Sequence, residues 1–450
     1  MKKLLASVLL CITIGTGCSS TNPPPQPTAT PAETDPKIDL QAWIMADSPR
    51  GDKDFMETID PFLQSHPNIS VKVKVLDWGT AWSDITKAVE NGEGPDILQL
   101  GSTWVPTIAS MNGIDDITSH ITDVGGADAY LPASWNSTMI QGGSSVYAVP
   151  WFVDARAIYY RKDAFQAAGV NPAEAFQTWD TFKHALEKVN GVTIQGVQMN
   201  ALGIPGKNDW NVPHNIFPWI WGAGGSVFAP DQKTVALNSP QALNGIMYYT
   251  GLAREGLADT ASLEKNTGQI EMDFANGKDA VIVTGLWMIR NFSTPQDQGG
   301  FAGKPAAGNY AVAPLPAGPQ GRATFIGGSH LSIFKQSKHK DAAWQLIKYL
   351  SSDEAQADYA KRVGMMPAKN SLIYSPELTQ DPSYAAFAEA TKYGHSYPAI
   401  PEWGPAETTL VKSFSNIWDI VADKDKNYTK ETIQQQLDEA AKEISIIMNQ

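Results

Sequence analysis

From Ile38 to Leu100 the hydrophobic pattern switches back and forth between two periods. Ile38 to Ile44 is short and mostly apolar, which predicts a strand. Asp52 to Ser65 places Phe55, Ile59, Phe62 and Leu63 at intervals that return to one helix face. Ile69, Val71, Val73 and Val75 alternate with polar residues, so this segment predicts a half-buried strand. Ala81 to Glu90 predicts another helix, and Ile97 to Leu100 a short buried strand. Further on, Thr178 stands at the start of a helix carrying Phe182, Leu186 and Val189, and Ser239 caps a helix whose first position is Pro240. The last helix shows Ile433, Leu437, Ala440, Ile444 and Ile447. Strand-helix-strand alternation predicts an α/β class with parallel sheets. No repeat of fixed period runs through the chain.

The N-terminus obeys different rules. Lys2 and Lys3 precede an apolar run, Leu4 to Ile14, that is too short to span a bilayer. Gly15-Thr16-Gly17-Cys18 follows. Residues 1–18 read as an export signal, and the segment resembles a bacterial lipoprotein signal, with Gly15 where Leu is usual. That resemblance implies lipidation of Cys18. The other cysteine, Cys11, leaves with the signal, so the mature chain has no second thiol to pair with. Residues 19–37 hold six prolines among Ser, Thr, Asn and Gln, which predicts an extended tether. Asn211 to Pro230 is charge-free and long, but its prolines and glycines make it a buried loop and short helix rather than a span.

Composition narrows the partners. The 450 residues carry 34 Lys plus Arg against 47 Asp plus Glu, a net charge of −13, which argues against nucleic acid and anionic lipid surfaces. At 42% hydrophobic and 18% charged the chain buries a substantial core in two or three domains. Several kinds of chemistry lack their motif. None of the seven histidines forms an H-E-x-x-H pair, so no zinc site or other metal centre is expected, and no cofactor. Gly327 to Leu331 lacks the last glycine of a nucleophile elbow. Asp423, Asp425 and Asn427 open like a calcium loop, but Tyr428 and Gln434 replace its glycine and glutamate, which leaves a polar turn.

The order of short motifs carries more than any one of them. Trp43 ends the first strand; Gly94-Pro95-Asp96-Ile97 leads to the loop Gly101 to Trp104; Tyr147-Ala148-Val149-Pro150 runs on to Asp154. Asn276-Gly277-Lys278-Asp279-Ala280 precedes a strand ending at Gly285-Leu286-Trp287, and Gly327 to His330 and Gly364 to Pro367 follow. Over Ile38 to Gln450 this order resembles the extracellular solute-binding proteins of ATP-binding-cassette sugar importers, the group that includes maltose-binding protein. The resemblance implies a two-lobe periplasmic-binding-protein fold with a hinge and a ligand cleft between the lobes. It implies a first lobe of 38–151 and 281–327 and a second of 155–280 and 331–450. It also implies a monomer that binds a neutral carbohydrate, an oligosaccharide, and delivers it to the permease subunits of an ABC importer. The chain would be exported and lipid-anchored to the outer face of the cytoplasmic membrane. The other readings are a surface glycan-degrading enzyme, and a receptor of the same fold for a peptide, a polyamine or iron. Adjacent tyrosines serve as iron ligands in some relatives, which brings in Tyr159-Tyr160 and Tyr248-Tyr249.

A sugar pocket needs aromatic faces for ring C–H groups, and carboxylates and amides for hydroxyls. Asp154 stands where the maltose-binding relatives place a ligand-contacting acid, and Trp287 where the family stacks a tryptophan at a strand's carboxyl end. Thr103 and Trp104 replace a charged pair of those relatives. Asp47 and Ser48 lie on the first strand's exit loop, and Asp77 and Trp78 at the end of the second, with Trp82 a helical turn on. His214 and Asn215 match a contributing loop, Trp403 lies near a stacking position, and Gly328 and Ser329 offer close backbone approach.

Overall fold

A computed structural model describes residues 36–207, 209–423 and 426–449. Cys18, the signal and nearly all of the expected tether lie outside the described residues, as does Asp425 of the polar turn.

The opening strand β1 (Ile38–Met45) buries Leu40, Ala42 and Ile44 on alternate positions. It pairs in parallel along its whole length with β2 (Ile69–Leu76), whose other edge is unpaired and whose valines are only partly covered. On its other side β1 pairs in parallel with β3 (Ile97–Gly101), buried at every position. The helix Gly51–Ser65 between β1 and β2 buries Phe55, Ile59 and Phe62 in one core with this sheet, at the spacing that the sequence shows, while Leu63 is only partly covered. The helix Trp78–Asn91 begins three residues before the predicted start, because Asp77 caps it by accepting a bond from Gly79 N at 2.9 Å.

Beyond β3 the sheet ceases to be parallel. Strand β4 (Val149–Ala155) is followed after the single residue Arg156 by β5 (Ala157–Arg161), which belongs to a different sheet. A short hairpin of β6 (Thr193–Ile194) and β7 (Val197–Gln198) precedes β8 (Asn200–Gly203), and β9 (Asp279–Thr284) and β10 (Tyr310–Ala313) follow. Strand β11 (Thr324–Ile333) returns to the first sheet, which β12 (Met366–Pro367) and β13 (Gly394–His395) complete. The larger sheet runs β12-β4-β11-β3-β1-β2, and the smaller β10-β5-β9-β8. In the larger, β11 is antiparallel to both β3 and β4; in the smaller, β5 is antiparallel to both β9 and β10. The expected parallel sheets are therefore mixed: the chain re-enters each sheet from the other lobe, and β11 and β5 run against the strands they pair with.

Strand membership also revises the expected segments. Residues 281–284 and 310–313 pair in the smaller sheet, whereas the resemblance places 281–327 in the first lobe. Residues 331–333 pair with β3, and the helices Lys340–Leu350 and Asp353–Val363 pack into the core beneath the larger sheet, although 331–450 was assigned to the second lobe. Hydrogen bonding between strands distant in sequence decides this, and local pattern carries no record of it. The long helices Trp403–Ala422 and Lys430–Ile447 pack on each other and on the helices Val212–Gly222 and Pro240–Arg254, with Phe414, Ile417, Trp418, Ile433 and Leu437 in one core with Ile158, Leu202 and Val281. The charge-free stretch becomes the helix Val212–Gly222, buried almost throughout and tolerant of Pro218 within it.

Candidate functional site

The carboxyl ends of β1, β2 and β3 and the β4–β5 crossing open onto a cleft of about 490 Å³, with residues of the smaller sheet's lobe on its far side. Asp47 and Ser48 leave β1 into it. The Asp47 carboxylate accepts from Trp78 Nε1 at 3.2 Å and Gln99 Nε2 at 2.8 Å. Burial pushes its pKa up to about 7, against the pull of those bonds. Gln99 is fully buried and organises this wall. Its Nε2 also donates to Ser329 Oγ at 2.8 Å, and its Oε1 accepts from Met45 N at 2.8 Å. Ser48 turns its hydroxyl to the buried carboxylate of Asp54. After β3, Thr103 and Trp104 line the cleft beside Ser102, whose N–H donates to Gly328 O at 3.0 Å.

The β4–β5 crossing supplies the charged centre. Asp154 and Arg156 are two apart in extended chain and so project to one side. Arg156 Nη1 donates to both oxygens of Asp154 at 2.8 and 2.6 Å, and Nη2 to Asn211 Oδ1 at 3.0 Å. The guanidinium lies 4.8 Å from the Trp287 ring centroid and 5.7 Å from that of Phe325. Burial raises the Asp154 pKa and the adjoining cation draws it back. Trp287 opens a short helix after β9 and donates Nε1–H to Glu271 Oε1 at 2.6 Å. Burial pushes Glu271 up to about 7. Gly285 is required here, since a Cβ on it would come 2.0 Å from the Trp287 ring. Gly328 lines the cleft with φ +134, and a Cβ there would meet Phe152 O at 2.2 Å.

From the second lobe come Trp210, Asn211 and His214. The His214 ring stacks on Phe325 with centroids 4.1 Å apart and planes at 4°, and its Nδ1 meets Tyr397 Oη at 2.8 Å. Burial, and next the Arg156 charge, hold its pKa well below the ordinary imidazole range, so the ring is neutral.

The structure thus brings together Asp47, Ser48, Trp78, Thr103, Trp104, Asp154, His214, Trp287, Gly328 and Ser329. Three expected residues stand elsewhere. Asp77 is spent on its helix cap. Asn215 is one residue past His214 on a helix, which turns it about 100° away into the interior. Trp403 is fully buried against Tyr397, with centroids 4.4 Å apart. Trp82 packs on Trp104 and does not line the cleft. Tyr159 and Tyr249 are core residues. Sequence reading passed over Arg156, Gln99, Trp210 and Asn211. Only Arg156 left a clear signal, the Asp-x-Arg spacing on a strand. Among the described residues no group of three or more His, Cys, Asp and Glu is placed to hold a metal ion, and no helix is long and apolar enough to cross a membrane.

Two α/β lobes joined by hydrogen-bonded crossing strands, with indoles and a tied ion pair facing a cleft between them, define a two-lobe binding protein. The chain belongs to the bacterial extracellular solute-binding protein family, whose pattern matches residues 42–357. It is 25% identical to the diacetylchitobiose-binding protein DasA of Streptomyces coelicolor, over 82% of this chain and 81% of that one. It is 23% identical to a maltooligosaccharide ABC transporter solute-binding lipoprotein of Streptococcus pneumoniae, over 86% and 88%. Its fold matches that of an ABC transporter solute-binding protein of Thermotoga lettingae bound with α-D-tagatose, with a TM-score of 0.76 and 23% identity, over 91% of this chain and 99% of that one.

Proposed function

We propose that this protein captures an uncharged saccharide in the cleft and presents it to the membrane permease of an ABC importer. The observation that carries the reading is the lining: four tryptophans, Trp78, Trp104, Trp210 and Trp287, around a carboxylate whose charge Arg156 already balances. Indole faces cover the apolar face of a sugar ring, while Asp154 accepts from hydroxyls and Asn211 and Asn291 exchange bonds with them. A charged ligand would have to compete with the Asp154–Arg156 pair, which favours a neutral one. The sugar-binding names of the relatives agree with this reading. A thermal-shift panel of mono- and oligosaccharides tests it: a ligand at a hundred times its dissociation constant stabilises by about 2.7 kcal/mol. A panel without a stabilising sugar, or a response only to peptides or polyamines, defeats it.

The reading includes no turnover. Asp47 is held by Trp78 and Gln99 and Asp154 by Arg156, so neither carboxylate is presented as a free acid or nucleophile. Cleavage products from an incubated oligosaccharide would instead support the glycan-degrading alternative. We further propose a monomer held to the membrane through lipidated Cys18, which the cysteine position and the lipoprotein name of the pneumococcal relative support. Cys18→Ala should move the protein to the soluble fraction, and a variant that stays with the membrane excludes this anchor.

A further inference from the structure

Two indoles from opposite lobes meet across the cleft. Trp78 begins the helix after β2, and Trp210 precedes the helix Val212–Gly222. Their planes are 14° from parallel and their ring centroids 5.9 Å apart. Each is braced from behind. Trp78 donates to Asp47 and meets Trp104 at 5.5 Å. Beside Trp210, the Asp209 carboxylate accepts from Asn211 N at 2.9 Å and Thr267 N at 2.8 Å, which fixes the backbone that carries the ring. Trp210 nonetheless remains 45% exposed, so it stands where the cleft meets solvent, whereas Arg156 at the floor is 3% exposed. Trp287 differs from both, since Gly285 backs its ring and the Arg156 guanidinium lies beside it.

Resting on the saccharide reading, we propose that Trp78 and Trp210 are opposed jaws that sandwich one sugar ring at the solvent end of the cleft. Parallel faces carried by two lobes that hinge apart stay nearly parallel through a small opening. Two successive van der Waals contacts need a separation of about 7–8 Å between the faces, so a hinge opening that brings the rings that far apart admits a sugar ring. In this proposal the jaws and the Asp154–Arg156 pair are two subsites for successive rings of one saccharide, and a monosaccharide engages one of them. Trp210 therefore selects for length.

Calorimetric titration of the full chain with maltotriose, N,N′-diacetylchitobiose, a galactotriose and their monosaccharides tests this. Trp210→Ala should weaken the oligosaccharide that the wild type binds by roughly tenfold or more, and a monosaccharide by a smaller factor, with the melting temperature unchanged. Trp210→Phe, which keeps a flat face, should recover most of the loss. Wild-type oligosaccharide affinity in Trp210→Ala would overturn the jaws alone, as would Trp210→Phe losing as much as Trp210→Ala. Failure of the wild type to bind any probe would instead overturn the saccharide reading beneath them.

Discussion

Asp47 and Arg156 show what single residues do in this cleft. The folded Asp47 titrates near 7 because burial disfavours its charge. An unfolded aspartate titrates near about 4. Between those values the folded chain holds a proton that the unfolded chain has released, so stability falls as pH rises through about 4 to 7. Glu271, pushed up to about 7 from the same cause, adds to the same slope. Urea denaturation at pH 5 and pH 8 should show the wild type losing stability with pH, and Asp47→Asn losing less. Equal slopes in the two proteins would refute the assignment to Asp47. Arg156 is the reverse case, a buried cation whose partners are all internal. Arg156→Leu strands the Asp154 carboxylate, and breaking a buried pair costs about 3–5 kcal/mol. The double variant with Asp154→Asn should regain part of that loss, and no recovery would mean that packing on Trp287 and Phe325 dominates. The cleft-facing acids Asp47 and Asp154 were legible in the sequence because they sit at strand ends. Gln99 was not, because a glutamine within a buried strand looks the same whether it positions a neighbour or merely satisfies itself.

At the scale of elements the helix Trp78–Asn91 separates structural from binding roles. Asp77 and Trp78 are adjacent in sequence, yet one caps the helix and the other faces the cleft. Asp77→Ala should lower stability by about 0.5–2 kcal/mol, the usual cost of an N-cap, with saccharide affinity unchanged. A matching loss of affinity in calorimetry would return Asp77 to the site. Periodicity made most elements near the N-terminal half legible, since β1, β2 and the two helices after them each have one more buried face, while β3 shows as a short run that is apolar except for Gln99. It was silent for Trp403 and Asn215. A helix such as Trp403–Ala422 places its first tryptophan by which turn meets the core, and a shift of a single residue turns a ligand contact into packing.

For the whole molecule, the cleft walls belong to different sheets, and the connections between those sheets pass through Arg156 and the segment near residues 314–323. Polar ties already cross between the lobes, such as Thr107 Oγ1 to Pro401 O at 2.8 Å. A ligand that touches both walls favours the closed arrangement by its differential affinity for it. Moving the population from one to ninety-nine per cent closed needs about 5.5 kcal/mol of such difference. Small-angle scattering should show a smaller radius of gyration with saturating saccharide. Identical curves with and without a tightly bound sugar would remove closure from the mechanism while leaving the binding. The sequence alone determined the α/β class, the absence of a nucleophile elbow and an H-E-x-x-H pair, and most of the strand-exit residues. Those are local properties, written in period, composition and motif order. Only the tertiary structure decided that the sheets are mixed, that 281–284 and 331–333 change lobes, that Arg156 ties Asp154 to Asn211, and that Trp78 meets Trp210. Each of these depends on pairing between residues far apart in the chain. Such pairing is set by which strand edges and side chains are left to satisfy one another once every local element has formed.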